Sequence, residues 1–138
     1  MDYSAKNNII LNLNEKDNLK RFPLLCAFDS NTELLQLIIE YANKNNIILD
    51  LNEADDIYGD YPLIEACNFD KTDNLQILID YASKNNIILD LNKKTYDGSY
   101  PLLRALIDYN NEIVNLLMDY ANKNNIILEL NEKDPNEF

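Results

Sequence analysis

The twelve residues Tyr41 to Asn52, YANKNNIILDLN, return as YASKNNIILDLN from Tyr81 and as YANKNNIILELN from Tyr120, with a degenerate copy, YSAKNNIILNLN, from Tyr3. A second marker, an aromatic residue before Pro-Leu, stands at Phe22-Pro23-Leu24, Tyr61-Pro62-Leu63 and Tyr100-Pro101-Leu102 and sets a period of 39 residues, with one-residue adjustments in the connections. A unit of this length cannot bury its own faces, so self-similarity at such a period marks a stack of supersecondary units. The expected organisation is one repeat domain over 1–138: a partial unit and finger at 1–22, then units at 23–61, 62–100 and 101–138.

Each period reads as two helices and an extended stretch. The first helix opens at the Pro, whose missing N–H costs nothing there, and runs eight to ten residues as PLLCAFDS, PLIEACNFD or PLLRALIDY. In the second, TELLQLIIEYANK, the polar positions Glu33, Gln36, Glu40 and Asn43 recur at steps of three and four. They leave an apolar stripe of Leu34, Leu35, Leu37, Ile38, Ile39, Tyr41 and Ala42, which predicts burial on most sides. Lys44, Lys84 and Lys123 suit the negative end of the helix dipole, and Asn45, Asn85 and Asn124 stand where a left-handed residue stops a helix. The chain holds 23 Asn and 2 Gly, so Asn takes over turn positions. Ile47, Leu49 and Leu51 then alternate as one face of an extended segment. Helices stack at about 8–10 Å and strands pair at about 4.8 Å, so one strand per repeat cannot form a continuous ladder but a hairpin can. The expected fold is mainly α: a helix-pair solenoid with β-hairpin-like fingers, the second strand lying within Ile57–Tyr61 and Thr95–Tyr100. A plain loop is the alternative.

Composition narrows the function. Acids outnumber bases 24 to 12 and the formal charge is −12, which disfavours nucleic acid and anionic lipid as partners. With no His, a His general base, a His metal ligand and a Ser or Cys triad are absent. No apolar run approaches the ~20 residues that span a bilayer, and MDYSAKNNII lacks the basic start of a secretory signal. A cytoplasmic, reducing setting is expected, with Cys26 and Cys67 as thiols. Asp55, Asp56, Asp60 and Glu65 form the densest carboxylate cluster, but nothing frames a catalytic pair, and the residues read as a solvated finger tip. There is no Gly-rich phosphate loop, Cys-x-x-Cys or Gly-x-Ser-x-Gly, so neither an enzyme nor a cofactor is expected. Tyr41, Tyr81 and Tyr120 repeat in phase and are expected in the core, hydroxyls toward the rim, whereas Tyr58 and Tyr96 fall in the fingers, where exposed aromatics serve recognition.

The stretch Asp97-Gly98-Ser99-Tyr100-Pro101-Leu102-Leu103-Arg104-Ala105 resembles the ankyrin-repeat pattern Asp-Gly-x-Thr-Pro-Leu-His-x-Ala. Glu112-Ile113-Val114 with Leu116-Leu117, and Leu130-Asn131-Glu132-Lys133-Asp134, also resemble that family. The family's Thr is replaced by Phe22, Tyr61 and Tyr100 and its His by Leu25, Ile64 and Leu103, and the period is about six residues longer than the usual 33. The alternative is a HEAT or tetratricopeptide solenoid, whose units lack the long extended finger. The ankyrin resemblance implies protein recognition through fingers and first helices. By position it singles out Arg21, Asp60 and Ser99; Cys26, Glu65 and Arg104; and Asp29, Asn68 and Ile107 with Asp108. These positions vary between copies while the framework does not, as outward-facing binding sites do and as neutral drift on a surface also does. With Tyr58 and Tyr96 they form the expected contact set for a protein partner of basic character. The competing expectation is a structural or self-associating segment of a longer repeat array, with no dedicated partner.

Overall fold

A computed structural model describes residues 9–28, 30–68 and 72–129. Six helices follow in order: α1 (Pro23–Phe28), α2 (Thr32–Lys44), α3 (Pro62–Ala66), α4 (Thr72–Lys84), α5 (Pro101–Ile107) and α6 (Asn111–Lys123). Each short helix packs on the long helix after it; α1, α3 and α5 stack as one layer and α2, α4 and α6 as another. Pro opens every short helix. At six, five and seven residues these helices are shorter than expected. In α5 the reason is a left-handed Tyr109 (φ 53°) that lets the Asn110 N–H reach back to the Ala105 carbonyl, closing the helix before its sequence pattern ends. Among the described residues no helix is long and apolar enough to cross a membrane.

Two of the long helices, α2 and α6, begin on an asparagine cap, and all three end on asparagine. The Asn31 side chain accepts the Leu34 N–H at 2.8 Å and that of Asn110 the Ile113 N–H at 3.1 Å. At the other end the left-handed residue is not Asn45, Asn85 or Asn124 but the next Asn in each copy: Asn46 (φ 55°), Asn86 (φ 57°) and Asn125 (φ 56°). In the first copy the Ile47 N–H bonds to the Ala42 carbonyl and the Asn46 N–H to that of Asn43, the paired pattern of a Schellman turn. The first Asn of each pair instead turns its amide back onto the Tyr41, Tyr81 or Tyr120 carbonyl at 2.9 Å. The Asn-Asn dipeptide thus divides two duties between two residues.

The long helices are less enclosed than the stripe suggests at the first unit. Leu34 is 43% exposed, whereas its counterparts Asn74 and Ile113 are buried against the preceding unit. Burial here follows neighbours: Leu35, Leu75, Leu78, Ile113 and Leu117 are fully covered, together with Phe28, Leu63 and Ile64 of the short helices.

Beyond the helices, the alternation of the extended segments holds: Leu49 and Leu51 are buried while Ile48 is 56% exposed. The β-hairpin-like fingers, however, do not form, and among the described residues there is no strand. Each finger closes through a backbone bond at its base, from Asp17 to Arg21 (3.0 Å), Asp55 to Asp60 (2.8 Å) and Thr95 to Ser99 (2.8 Å). Successive fingers touch through the Asp56 N–H on the Leu19 carbonyl and the Tyr96 N–H on the Tyr58 carbonyl, at 2.8 and 2.9 Å.

Side chains replace the missing ladder. Asn14 donates to the Ile48 carbonyl (2.8 Å) and accepts from the Asp50 N–H (3.0 Å). Asn52 does the same to Ile88 and Asp90, and Asn92 to Ile127 and Glu129. A carboxamide offers one donor face and one acceptor face, as a peptide unit does, but on a side chain long enough to span segments held apart by helix packing. The Tyr hydroxyls complete the set. Rather than pointing to the rim, those of Tyr41, Tyr81 and Tyr120 accept the N–H of Leu11, Leu49 and Leu89 in the preceding unit, at 2.9–3.0 Å. We predict that Tyr81→Phe lowers unfolding free energy by about 1–3 kcal/mol, because the buried Leu49 N–H loses its acceptor while ring packing stays. Urea denaturation of the two proteins measures it.

Candidate functional site

The fingers before α3 and α5 are organised by side chains at their tips, one in the first and two in the second. In the first of these, the Asp55 carboxylate is buried and its Oδ1 accepts four backbone N–H groups: Ile57 (3.1 Å), Tyr58 (3.0 Å), Gly59 (3.0 Å) and Asp60 (3.2 Å). Asp55 is therefore the keystone of the tip rather than part of a solvated acidic patch. Gly59 is required twice: its φ is 72°, and a Cβ there would stand 2.8 Å from the Tyr96 ring. In the next finger the Thr95 hydroxyl donates to the Asp97 carboxylate, and the Ser99 N–H reaches both Thr95 Oγ1 and Asp97 Oδ1 at 3.2 Å. Tyr96 docks the two tips together, its hydroxyl donating to the Asp55 carbonyl at 3.2 Å.

Between the tips and α5 lies a cleft of about 460 Å³, walled by Ile57, Tyr58, Asp60, Thr95, Tyr96 and Asp97, with Arg104 as its floor. The Arg104 fork is held in place: Nε donates to Ser99 Oγ at 3.1 Å and Nη1 to Asn68 Oδ1 at 2.6 Å. The rims are aromatic, Tyr58 and Tyr96 each being 66% exposed.

The carboxylates differ in their titration. Burial raises the Asp60 carboxyl above the ordinary carboxylate value; a hydrogen bond with Glu65 and the Arg104 charge oppose the rise, and the Asp55 and Asp97 charges add to it. Asp97 is held below the ordinary value by its hydrogen bonds from Thr95 and the Ser99 N–H. A raised folded-state value means that the fold favours protonated Asp60. That contribution is fully present below the ordinary value of 3.8 and is lost as pH climbs through the raised one. Ionised Asp60 thus costs stability at neutral pH. Asp60→Asn is predicted to raise the thermal midpoint at pH 7, with the gain vanishing near pH 3, as paired melts across pH would record.

Of the residues singled out from sequence, Tyr58, Asp60, Tyr96 and Arg104 meet on this cleft. Glu65, Asn68 and Ser99 are not outward-facing as expected; all three are buried, Asn68 and Ser99 holding the Arg104 floor and Glu65 hydrogen-bonded to Asp60. Arg21 lies in the first finger, paired with Asp17 at 2.7 Å, and Cys26 is exposed on α1. Asp108 is exposed at the end of α5. Asp29 and the 130–134 stretch lie outside the described residues. Sequence reasoning missed Ile57, Thr95 and Asp97. The signal was the Thr-x-Asp-Gly-Ser string, in which Asp before Gly marks a side-chain-capped turn.

Among the described residues no three His, Cys, Asp or Glu side chains are grouped to hold a metal ion. Burial pushes the Cys67 thiol up to about 12, which leaves it without nucleophilic thiolate near neutral pH. The arrangement offers ring faces, carboxylates and one oriented guanidinium around an open volume, the materials of recognition. No protein-family model matches the chain, and no curated protein matches it in sequence.

Proposed function

We propose that the chain is a non-catalytic protein-binding module, a helix-pair repeat scaffold of ankyrin-like type that grips its partner at the cleft between the second and third fingers. One observation carries the reading. Tyr58, Asp60, Tyr96 and Arg104 are singled out in the sequence as finger aromatics or as positions that differ between copies, and these scattered residues line one cleft while two more of the same set, Asn68 and Ser99, support it. On its walls the carboxylates Asp60 and Asp97 outnumber the Arg104 guanidinium. With the net charge of −12 this favours a basic protein over nucleic acid and gives an association rate that falls with salt. Cys26 and Cys67 are both free thiols, in keeping with a reducing cytoplasm.

The test is affinity capture with the wild-type chain, an Ile57→Ser/Tyr58→Ala variant, and a Glu33→Gln control on an exposed long-helix position. A protein retained by wild type and control but lost by the double variant, with all three equally folded, supports the reading. Equal retention by all three overturns it.

A second reading, end-to-end association of copies, draws on Leu106. It is 52% exposed, yet stands where Phe28 and Cys67 are buried beneath the next unit's short helix. A mass that rises with concentration and reverts on Leu106→Lys would support that reading; a constant mass would end it.

A further inference from the structure

We propose that the cleft receives a single cationic side chain, lysine or arginine, from the partner polypeptide, with the rings of Tyr58 and Tyr96 against its aliphatic stem and the carboxylates of Asp60 and Asp97 at its charged head. The proposal deepens the protein-binding reading above and rests on it.

The cleft volume of about 460 Å³ suits one long side chain with some flanking backbone. Two largely exposed tyrosines on a rim give apolar faces with negative quadrupoles, which favour a cation with a hydrocarbon stem over a neutral apolar or an anionic group. The chain already places cations this way: Lys16 Nζ sits 5.9 Å from the Phe22 ring centre and Lys93 Nζ 5.4 Å from that of Tyr61.

Charge selects the same class. Two carboxylates, on Asp60 and Asp97, line the cleft with one guanidinium, and Asp55 spends its Oδ1 on four backbone N–H groups. Arg104 does not fill the site, because Nε and Nη1 are bound to Ser99 and Asn68 in the floor. It does set a limit: the incoming head approaches from the Asp60 and Asp97 walls, away from the fork. An acidic or phosphorylated side chain would meet those walls first and be repelled.

Short peptides test this without knowledge of the partner. Acetyl-Gly-Lys-Gly-amide, and its analogues with arginine, norleucine or glutamate at the centre, are titrated into the ¹⁵N-labelled chain and followed by NMR. Gly59 and Gly98 are the chain's two glycines and both lie at the tips, so their amides report the cleft directly. Saturable movement of both by the lysine or arginine peptide is expected, about tenfold tighter than norleucine, weaker in high salt, and several-fold weaker in folded Asp60→Asn. The arginine and lysine arms decide which head is preferred. Norleucine binding as tightly as lysine, preference for glutamate, or no movement with any peptide overturns the inference. If the peptides fail while partner capture still requires Tyr58, the binding module stands and the cation site falls. Should lysine bind at the cleft while capture ignores Tyr58, the reverse holds.

Discussion

Leu78→Asp abolishes cooperative folding. Leu78 is 1% exposed on α4, the long helix that packs on both α2 and α6, so an ionised carboxylate there is desolvated with no cation to meet it. Burial of an unpaired charge exceeds about 4 kcal/mol, much of the total for a domain of this size. In a stack where each unit touches only its neighbours, loss of the middle unit also separates the outer two. The matched substitution Leu37→Asp falls on the same kind of stripe, on α2, but at a position 49% exposed, and is expected to cost under about 1 kcal/mol. Far-ultraviolet circular dichroism with urea titration distinguishes the pair. A cooperative helical transition retained in Leu78→Asp would contradict the packing described.

Asp55→Ala costs about 2–4 kcal/mol, a large effect for a finger tip, because one oxygen serves four N–H groups and the Gly59 N–H is buried. The loss is local as well as global. The Gly59 amide loses its hydrogen-exchange protection, Tyr96 loses its seat against Gly59, and the cleft opens. Asp55→Asn keeps an acceptor at the same place and recovers part of the loss. A denaturation midpoint unchanged in Asp55→Ala, with Gly59 still protected, would remove Asp55 from its place as organiser of the site.

The long repeat, the Pro that opens each short helix, the Asn-Asn stops and the buried Leu49-Leu51 face were all legible, because helical and extended periodicities leave direct marks on residue type. The Asn ladder was legible as a pattern and not as a role. Asn14, Asn52 and Asn92 end the IILNLN and IILDLN strings in phase, but periodicity does not separate a side chain that replaces a backbone ladder from one that borders it. The hairpin expectation failed for that reason. It filled the spacing that helix packing sets with a second strand in each unit, whereas one Asn side chain per unit spans it. The Asn45-to-Asn46 displacement has a similar origin, since both residues suit a helix end and only backbone φ assigns the left-handed one. At the cleft, variation between copies selected Asp60 and Arg104, which line it, together with Glu65, Asn68 and Ser99, which are buried, and could not separate the two groups because both differ from copy to copy.

The central claim is that a partner protein contacts the cleft between the second and third fingers, and a photo-crosslinking amino acid tests it most directly. With the crosslinker at Tyr58, on the rim, the account predicts a covalent adduct to a distinct, basic protein, suppressed by high salt. With it at Glu33, on the long-helix layer, no such adduct is predicted. Adducts of equal yield at both positions, or at Glu33 alone, would contradict it.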